Sequence, residues 1–163
     1  MGGYPASVRP RLSTVLAVLL LVTPAPGCAT IPRDPEGTLE RVRTTRLLRV
    51  GASPSEGRVV VAGTEPAGPE VELVTGFAEA VGARVDWRVG GEEELVGAME
   101  RGELDLLAGG LSDRTPWSQR VSVTRPYAES RRHGEPVKHV LAVPLGENAM
   151  LGRLERYLDE AGR

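Results

Sequence analysis

The sequence of residues 92–127, EEELVGAMERGELDLLAGGLSDRTPWSQRVSVTRPY, decides the fold. Its first part carries an apolar stripe at helical spacing and stops at Gly102, which predicts a helix over 92–101. Residues 104–108 then form a short apolar run that ends in a glycine pair, as a buried strand does before a loop. This order predicts a helix–strand unit of a parallel sheet.

The segments on either side continue the alternation of strands and helices. In chain order, the further predictions are a strand over 47–51, a short hairpin or edge strand over 58–62, a helix over 69–82, a strand over 84–89, a short helix opening at Thr115 and Pro116, strands over 121–124 and 137–143, and a helix over 148–161. Glu70 and Glu72 lie in the first turn of their predicted helix, where the helix dipole favours acidic residues. We therefore expect an α/β fold with a mostly parallel sheet and helices on both faces.

The N-terminus has the layout of a bacterial lipoprotein signal. Arg9 and Arg11 precede the apolar run 15–22, and small residues lead from there to Cys28, the single cysteine of the chain. The run has about half of the roughly 20 apolar residues needed to span a bilayer. We predict a signal peptide over 1–27 and a lipid on Cys28; the alternative is ordinary signal peptidase cleavage that leaves Cys28 as a free thiol.

The composition of the remainder of the chain limits its partners and its number of domains. Removal of residues 1–27 takes away two of the 20 basic residues and none of the 22 acidic ones, which leaves a net charge of about −4 and argues against a nucleic-acid partner. What remains suffices for one hydrophobic core. Residues 28–46 begin with prolines and charges and have at most a short helical turn near their end, so we predict a tether that adds little stability, followed by one domain over 47–160.

The sequence motifs do not indicate a metal site, a serine hydrolase or a phosphate-binding loop. His133 and His139 lie six residues apart without cysteines or carboxylates at metal-ligand spacing, and neither a metal nor a cofactor is predicted. The serines include no G-x-S-x-G motif, and the glycine pairs at 90–91 and 109–110 do not extend to a phosphate-binding loop. No catalytic carboxylate pair can be named, so we do not predict an enzyme.

The order of these segments resembles the family 3 extracellular solute-binding proteins of ABC transporters. Four segments follow the family's order: LLRVGASP at 47–54, GPEVELVTGFAEAVGARVDW at 68–87, the stretch 92–127, and KHVLAVPLGENAMLGRLERYL at 138–158. The most specific part is GELDL at 102–106 followed by TRPY at 124–127. The resemblance covers nearly all of residues 47–160 and implies a lobe of the periplasmic-binding-protein type.

Members of this family have two lobes that close over a ligand, and the second lobe is inserted after the PY segment. Here only nine residues separate Tyr127 from Val137, which is enough for a loop but not for a lobe. The chain therefore resembles a single lobe whose half-site is open to water, where hydrogen bonds to charged groups are weaker. The replacement loop contains a basic patch at 131–133, which is either a solvated surface or a contact for anionic lipid or a partner.

Amino-acid-binding members commonly pair the ligand's carboxylate with an arginine three residues after the threonine of their loop motif. An ungapped alignment places Trp117 at that arginine and Arg114 where the family often has Thr or Ser. Either Arg114 reaches the same space from its loop, or it is a solvated charge beside a hydrophobic plug formed by Trp117. Because open α/β sheets bind ligands at the carboxyl ends of their strands, the predicted ligand-binding residues are Ser53, Pro54, Gly109, Gly110, Leu111, Ser112, Arg114 and Trp117.

The lipoprotein signal, the absence of a catalytic motif and the resemblance together predict a membrane-anchored extracytoplasmic protein without enzymatic activity, linked to ABC-type uptake or sensing of amino acids or similar small polar solutes. The expected partners are a weakly bound solute, a transporter or sensor protein, and the membrane that holds the lipid anchor. The first alternative is a protein-interaction module that docks a transporter, a sensor or a second copy through the face left by the missing lobe. The second is a periplasmic enzyme, since some relatives of the family are fused to murein lyases or ring-forming dehydratases.

Overall fold

The computed structural model describes residues 1–3, 34–63 and 65–162. The chain divides into two compact units, Met1–Ile31 and Pro32–Arg163. The predicted signal sequence after residue 3 and the predicted lipidation site, Cys28, lie outside the described residues. None of the helices in the described ranges is long and apolar enough to cross a membrane.

Helices and strands alternate along the second unit. The helices are α1 (Thr38–Thr45), α2 (Pro69–Ala80), α3 (Glu92–Glu100) and α4 (Asn148–Ala161). The strands are β1 (Leu47–Ala52), β2 (Val60–Ala62), β3 (Glu65–Ala67), β4 (Arg84–Val89), β5 (Leu106–Ala108), β6 (Val121–Val123), β7 (Ala128–Arg132), β8 (Glu135–His139) and β9 (Ala142–Pro144). The predicted helices that became α2, α3 and α4 are confirmed, and so are the strands that became β1 and β4.

In the described part of the chain, the central sheet has the strand order β4-β1-β5-β9-β6. Strand β1 pairs in parallel with β4 and β5, whereas β9 is antiparallel to β5 and β6. Of these five strands, β4, β1, β5 and β6 therefore run in one direction and β9 runs in the opposite one, so the sheet is mostly parallel, as predicted. The carboxyl ends of β1, β4 and β5 share one edge of the sheet, called here the C-terminal edge, and their starts share the opposite N-terminal edge.

The sheet separates two hydrophobic layers because successive residues of a strand point to opposite faces. In β5, Leu106 and Ala108 belong to the cluster that packs against α1, α2 and α4. Leu107, between them, belongs to the cluster that packs against α3. Helices therefore cover both faces of the sheet, which confirms the predicted architecture.

Helix α1 belongs to the packed domain, and this corrects the predicted boundary at residue 47. Leu39 and Val42 of α1 are buried in the larger hydrophobic cluster beside strands β1 and β5. The tether predicted over 28–46 is therefore part of the folded domain in its second half. Short length and a sequence rich in charge hid the two core positions of this helix.

The starts of α1 and α4 cap each other. Glu147, buried directly before α4, accepts hydrogen bonds from the backbone N–H groups of Glu36 (2.8 Å) and Thr38 (2.7 Å). In return, Asp34 Oδ1 accepts a hydrogen bond from the N–H of Ala149 in α4 (2.5 Å). Thr38 and Ala149 lie in the first turns of their helices, where N–H groups have no partner within the helix, and each carboxylate lies at the positive end of a helix dipole. The segment from residue 34 onward is thus fastened to the domain.

A β-hairpin occupies the interval that was predicted to be a loop. Strands β7 and β8 pair antiparallel around His133 and Gly134, whose φ angles of 51° and 86° suit the type I′ turn of two-residue hairpins. The strand predicted over 137–143 is accordingly divided between β8 and β9. The interval holds no second lobe, in agreement with the single-lobe prediction.

The short helix predicted to open at Thr115 and Pro116 is a single turn. The N–H groups of Arg120 (2.8 Å) and Val121 (3.1 Å) both donate to the Trp117 carbonyl oxygen. Strand β6 then begins at Val121, so the chain has no room for a second helical turn.

The carboxylate of Asp105 ties α1 and β1 to the start of β5. It is fully buried and accepts hydrogen bonds from the Arg49 backbone N–H (2.9 Å) and the Arg49 guanidinium (2.6 Å). The Arg41 guanidinium of α1 donates to the same carboxylate. Burial alone raises the pKa of Asp105, but the hydrogen bonds from Arg49 and Arg41 outweigh it and hold that pKa below its usual range.

We predict that Asp105→Asn lowers the free energy of unfolding by about 3 kcal/mol at neutral pH, because two partly buried guanidinium groups lose their shared counter-charge. The pKa of Asp105 is lower in the folded than in the unfolded state, where it is about 3.9. The stabilisation is therefore present above that pH and is lost as the pH falls through the folded pKa. Urea denaturation of both proteins between about pH 3 and pH 7 measures the difference, which should shrink at the acidic end.

Glu103→Gln is the matched control for this experiment. Its exposed carboxylate pairs with the exposed guanidinium groups of Arg88 and Arg101, so its loss should cost less than about 1 kcal/mol. Equal losses in the two variants, or an Asp105 effect that does not change with pH, would contradict the assigned role.

Candidate functional site

Two loops meet at the C-terminal edge of the sheet. Ser53, directly after β1, donates its N–H to the carbonyl oxygen of Ala108 at the end of β5 (2.8 Å). The loops are so close that a Cβ at Gly109 would lie 2.7 Å from the Ser53 Cβ. Gly110 has a φ of 65°, a left-handed conformation that favours glycine. The structure thus brings together the predicted residues after β1 and after β5, and the glycine pair permits their contact.

A buried carboxylate from α2 holds the loop after β5 in place. Glu70 is 0% exposed, and its Oε2 accepts hydrogen bonds from the N–H groups of Gly109 and Gly110, both at 2.9 Å. Its Oε1 accepts the hydroxyl of Tyr127 at 2.5 Å. The N–H groups of the two glycines are therefore bound to Glu70, and they support the site rather than offering donors to a solute.

Tyr127 connects the segment after β6 to this carboxylate. Burial raises the pKa of its hydroxyl, and the negative charge of Glu70 and the hydrogen bond to it raise that pKa further. The phenol therefore stays protonated and acts as a donor. The sequence indicated Tyr127 only as part of the TRPY motif, whereas in the structure its hydroxyl is bound to the carboxylate that holds the loop.

The role of Glu70 was missed from the sequence. Glu70 and Glu72 share the first turn of α2, and helical periodicity alone did not separate the buried one from the exposed one. Gly68 was the sequence signal that the start of α2 is closely packed. Its φ is 115°, and a Cβ there would lie 2.6 Å from the Arg58 carbonyl oxygen, so glycine lets α2 begin directly against that loop.

The β7–β8 hairpin is fastened to the loop after β5. His139 of β8 forms an antiparallel bridge with Ser112. Its side chain is buried, with Nε2 lying 2.7 Å from the Ser130 Oγ of β7. Burial lowers the pKa of His139, and the positive charge of Arg58 lowers it further, which favours a neutral imidazole at this joint.

A shallow depression of about 200 Å³ lies between this loop and the hairpin. Its charged lining residues are Arg114 from the loop, Arg132 from β7 and Glu92 from the start of α3. Half of the predicted binding residues line it, namely Gly110, Leu111, Ser112 and Arg114. The predicted residues that lie outside its lining are Ser53, Pro54, Gly109 and Trp117. Arg132 was assigned only to a basic patch in the sequence, because its approach to Arg114 depends on the hairpin.

Trp117, at the position of the family's carboxylate-binding arginine, is part of the packing. Its half-buried ring packs against the cluster under α3. The indole Nε1–H donates to Glu92 at 2.9 Å, and the Arg120 guanidinium lies 5.4 Å from the ring centroid, at cation–π distance. This placement fits the alternative in which Trp117 is a hydrophobic plug.

The depression has the chemistry of a recognition site. Two guanidinium groups supply fork-shaped donors for an oxyanion, and the Ser112 hydroxyl and Glu92 carboxylate add a donor and an acceptor. Within the described residues, no group of three or more His, Cys, Asp or Glu side chains is arranged to hold a metal ion.

We predict that Glu70→Gln lowers the free energy of unfolding by about 2 kcal/mol, because charge-assisted hydrogen bonds to the glycine N–H groups become neutral ones. The N–H groups of Gly109 and Gly110 should also exchange with deuterium faster than the loss of global stability requires. Urea denaturation and amide exchange measure the two effects. Glu72→Gln, one exposed acidic residue on the same helical turn, is the control and should change stability by less than about 0.5 kcal/mol. Equal effects of the two substitutions would refute the role of Glu70.

Comparison with known proteins relates these features to one family. Residues 48–160 match the bacterial extracellular solute-binding proteins, family 3. Membrane-bound lytic murein transglycosylase F of Vibrio campbellii is 30% identical over 117 residues, which cover 71% of this chain and 21% of that protein. The protein of the same name from Vibrio cholerae serotype O1 is 29% identical over 110 residues, covering 67% and 20%. The chain thus spans about a fifth of the length of the curated relatives it matches.

Solved structures share the fold. The arginine-bound form of domain 1 from TmArgBP has a TM-score of 0.66 at 18% identity, covering 74% of this chain and 97% of that one. An ancestral cationic amino acid solute binding protein has a TM-score of 0.66 at 11% identity, covering 76% and 93%. At these identities the likeness shows the fold alone. Since the family match extends from β1 to the end of α4, this chain belongs to family 3 of the bacterial extracellular solute-binding proteins, in a single-lobe form.

Proposed function

We propose that this domain recognises a small polar solute that carries a carboxylate, such as an amino acid, on the extracytoplasmic side of a membrane and without catalysis. The observation that carries the proposal is the pair of guanidinium groups, Arg114 and Arg132, lining one depression of a family 3 domain. The depression lies at the C-terminal edge, where open α/β sheets bind their ligands.

The charges around the depression complement an amino acid. A guanidinium group matches a planar carboxylate through two parallel hydrogen bonds, and Arg114 and Arg132 approach from different elements. Glu92 accepts the Trp117 N–H through one oxygen, and a carboxylate can accept further hydrogen bonds from an ammonium group. The two ends of a zwitterion would thus meet opposite charges.

The single lobe limits the affinity. A depression of about 200 Å³ is smaller than most small-ligand pockets, and its open side leaves bound polar groups in contact with water. The arginine-bound form of domain 1 from TmArgBP supports the idea that one domain of this fold can hold an amino acid. We therefore expect weak binding, with dissociation constants of about 1 mM.

Isothermal titration of the full chain with a panel of amino acids tests this function. We predict that Arg114→Ala and Arg132→Ala each weaken binding of the preferred amino acid about tenfold, the loss of one charge-assisted interaction. Arg84→Ala is the control, because Arg84 is exposed at the start of β4 on the opposite edge of the sheet. The absence of saturable heat from the whole panel, or an equal loss in all three variants, would reject the proposal.

We further propose that the domain is held at the outer face of a membrane by a lipid on Cys28 and serves ABC-type uptake or sensing. The lipoprotein layout of the sequence before Cys28 and the extracellular character of the family support this. The five residues between Cys28 and Asp34 extend by at most about 20 Å, so the domain would stay close to the bilayer.

We predict that metabolic labelling with a palmitate analogue tags the wild-type chain and not Cys28→Ser, because the thiol is the attachment point. In-gel fluorescence measures the label, and immunoblotting of the same gel confirms equal amounts of protein. Label of equal intensity on both proteins would disprove the anchor.

A docking module is the second candidate function. The favouring observation is that the chain matches about a fifth of relatives named membrane-bound lytic murein transglycosylase F, so a domain of this kind accompanies other parts in those proteins. The exposed residues 131–133 at the tip of the hairpin offer a basic contact surface. We do not propose catalysis for this chain, because the buried carboxylates of Glu70, Asp105 and Glu147 are bound by N–H or guanidinium donors. The amino acid titration separates this candidate from solute recognition.

A further inference from the structure

A second cavity lies at the N-terminal edge of the sheet, opposite to the proposed solute site. Its volume of about 380 Å³ falls within the range of small-molecule pockets. It forms where the beginnings of α1, β1 and β5 meet the ends of α3 and β9. Arg41 and Arg49 line it together with the apolar residues Pro35, Pro144 and Leu145, of which Leu145 is 56% exposed.

The two arginines are held in position without a ligand. Asp105, whose side chain is 0% exposed, binds both of them, while the side chains of Arg41 and Arg49 remain 34% and 28% exposed. A guanidinium group has five N–H donors, and Arg49 directs only its Nε and Nη2 to Asp105. The cavity wall therefore carries preorganised cationic groups with donor capacity that Asp105 does not use.

The net charge around Arg41 and Arg49 favours a ligand with a single negative charge in the cavity. Asp105 contributes one negative charge against the two guanidinium groups that it binds. The other arginines on the wall have partners of their own, since Arg101 pairs with Glu103 (2.6 Å) and Arg120 pairs with Glu100 (2.6 Å). Among the residues that the structure describes, one positive charge is thus left without a close counter-charge.

Nearby negative groups are bound by backbone donors or screened by water. The Glu147 carboxylate, next to the lining residues Glu36 and Thr38, accepts both of their backbone N–H groups at the positive end of α1. Glu36 also lines the cavity, but it is exposed to water, which screens its charge. The last carbonyl groups of α3 accept hydrogen bonds within the helix cap: Ala98 from the Glu103 N–H and Met99 from the Gly102 N–H, both at 2.9 Å. The negative end of the helix is therefore largely satisfied by its own backbone.

We propose that this cavity is a second binding site, for a monocarboxylate that carries an apolar chain. The planar fork of a guanidinium group matches a carboxylate, and one uncompensated positive charge suits a monoanion. The exposed side chain of Leu145, beside Pro35 and Pro144, would remove part of the ligand chain from water. The site is independent of the proposed solute site, because it lies at the opposite edge and uses other residues.

Hexanoate is the probe, and hexanol of the same chain length is its uncharged counterpart. NMR titration of the full chain should show saturable shifts of the Gly102 amide and the Gln119 side-chain amide, with a dissociation constant of about 1 mM. Gln119→Glu adds a carboxylate to the wall without touching Asp105 and should weaken hexanoate binding about tenfold. Ser118→Glu adds the same charge at an exposed neighbour outside the lining and should weaken it less than about twofold.

The outcomes distinguish a preformed binding site from nonspecific adsorption of the probe to the protein surface. Binding of hexanoate at least about tenfold tighter than hexanol, weakened about tenfold in Gln119→Glu and kept in Ser118→Glu and Arg114→Ala, supports the proposal. Shifts that do not saturate, equal binding of hexanol, or equal weakening by the two glutamate substitutions would overturn it. Arg114→Ala affects only the solute site. If one of the two sites binds no ligand, the binding result for the other site can therefore still be interpreted.

Discussion

One buried carboxylate, that of Glu70, connects three segments that are far apart in the sequence. It joins the start of α2 to the Gly109–Gly110 loop and to Tyr127 through hydrogen bonds of 2.5 to 2.9 Å. A carboxylate or loop N–H left without a partner in this dry position would cost several kcal/mol, so these contacts depend on one another. The shape of the C-terminal edge follows, because the same loop continues to Arg114 and determines where its guanidinium stands.

Two further buried carboxylates act in the same way at the N-terminal edge. Asp105 binds arginines from α1 and β1, and Glu147 caps α1 from the start of α4. Such groups contribute less net stability than their short distances suggest, because burial removes each charge from water. Their main effect is on geometry, since a helix placed elsewhere on the sheet would leave a buried charge without donors. In a chain with only 4% aromatic residues, these polar contacts supplement the apolar packing in fixing the helices.

Local sequence patterns predicted most helices and strands, whereas the helix caps, the buried carboxylates and the site residues depend on long-range contacts. Helix α4 was predicted with the observed bounds, because its apolar stripe and flanking residues are local signals. Helix α1 was missed as part of the core because its cap comes from Glu147, 109 positions away. Glu70 was identified only as an acidic residue in the first turn of a helix, because its partners lie 39 to 57 positions away. Arg132 entered the candidate site only through the hairpin, whose polar strands have no hydrophobic alternation that would identify them.

The hairpin changes the structural response that ligand binding can produce in this domain. In two-lobed members of the family a ligand draws the lobes together, whereas here β7 and β8 stand in the place of the second lobe and are already joined to the loop by the bridge between His139 and Ser112. A solute held by both Arg114 and Arg132 would therefore strengthen the attachment of the hairpin instead of moving a lobe. A partner that contacts the hairpin would therefore sense the bound state, because Arg132 of the hairpin is one of the residues that hold the solute. Solute recognition and docking would then share one basic surface, and each would alter the affinity of the other by the same factor.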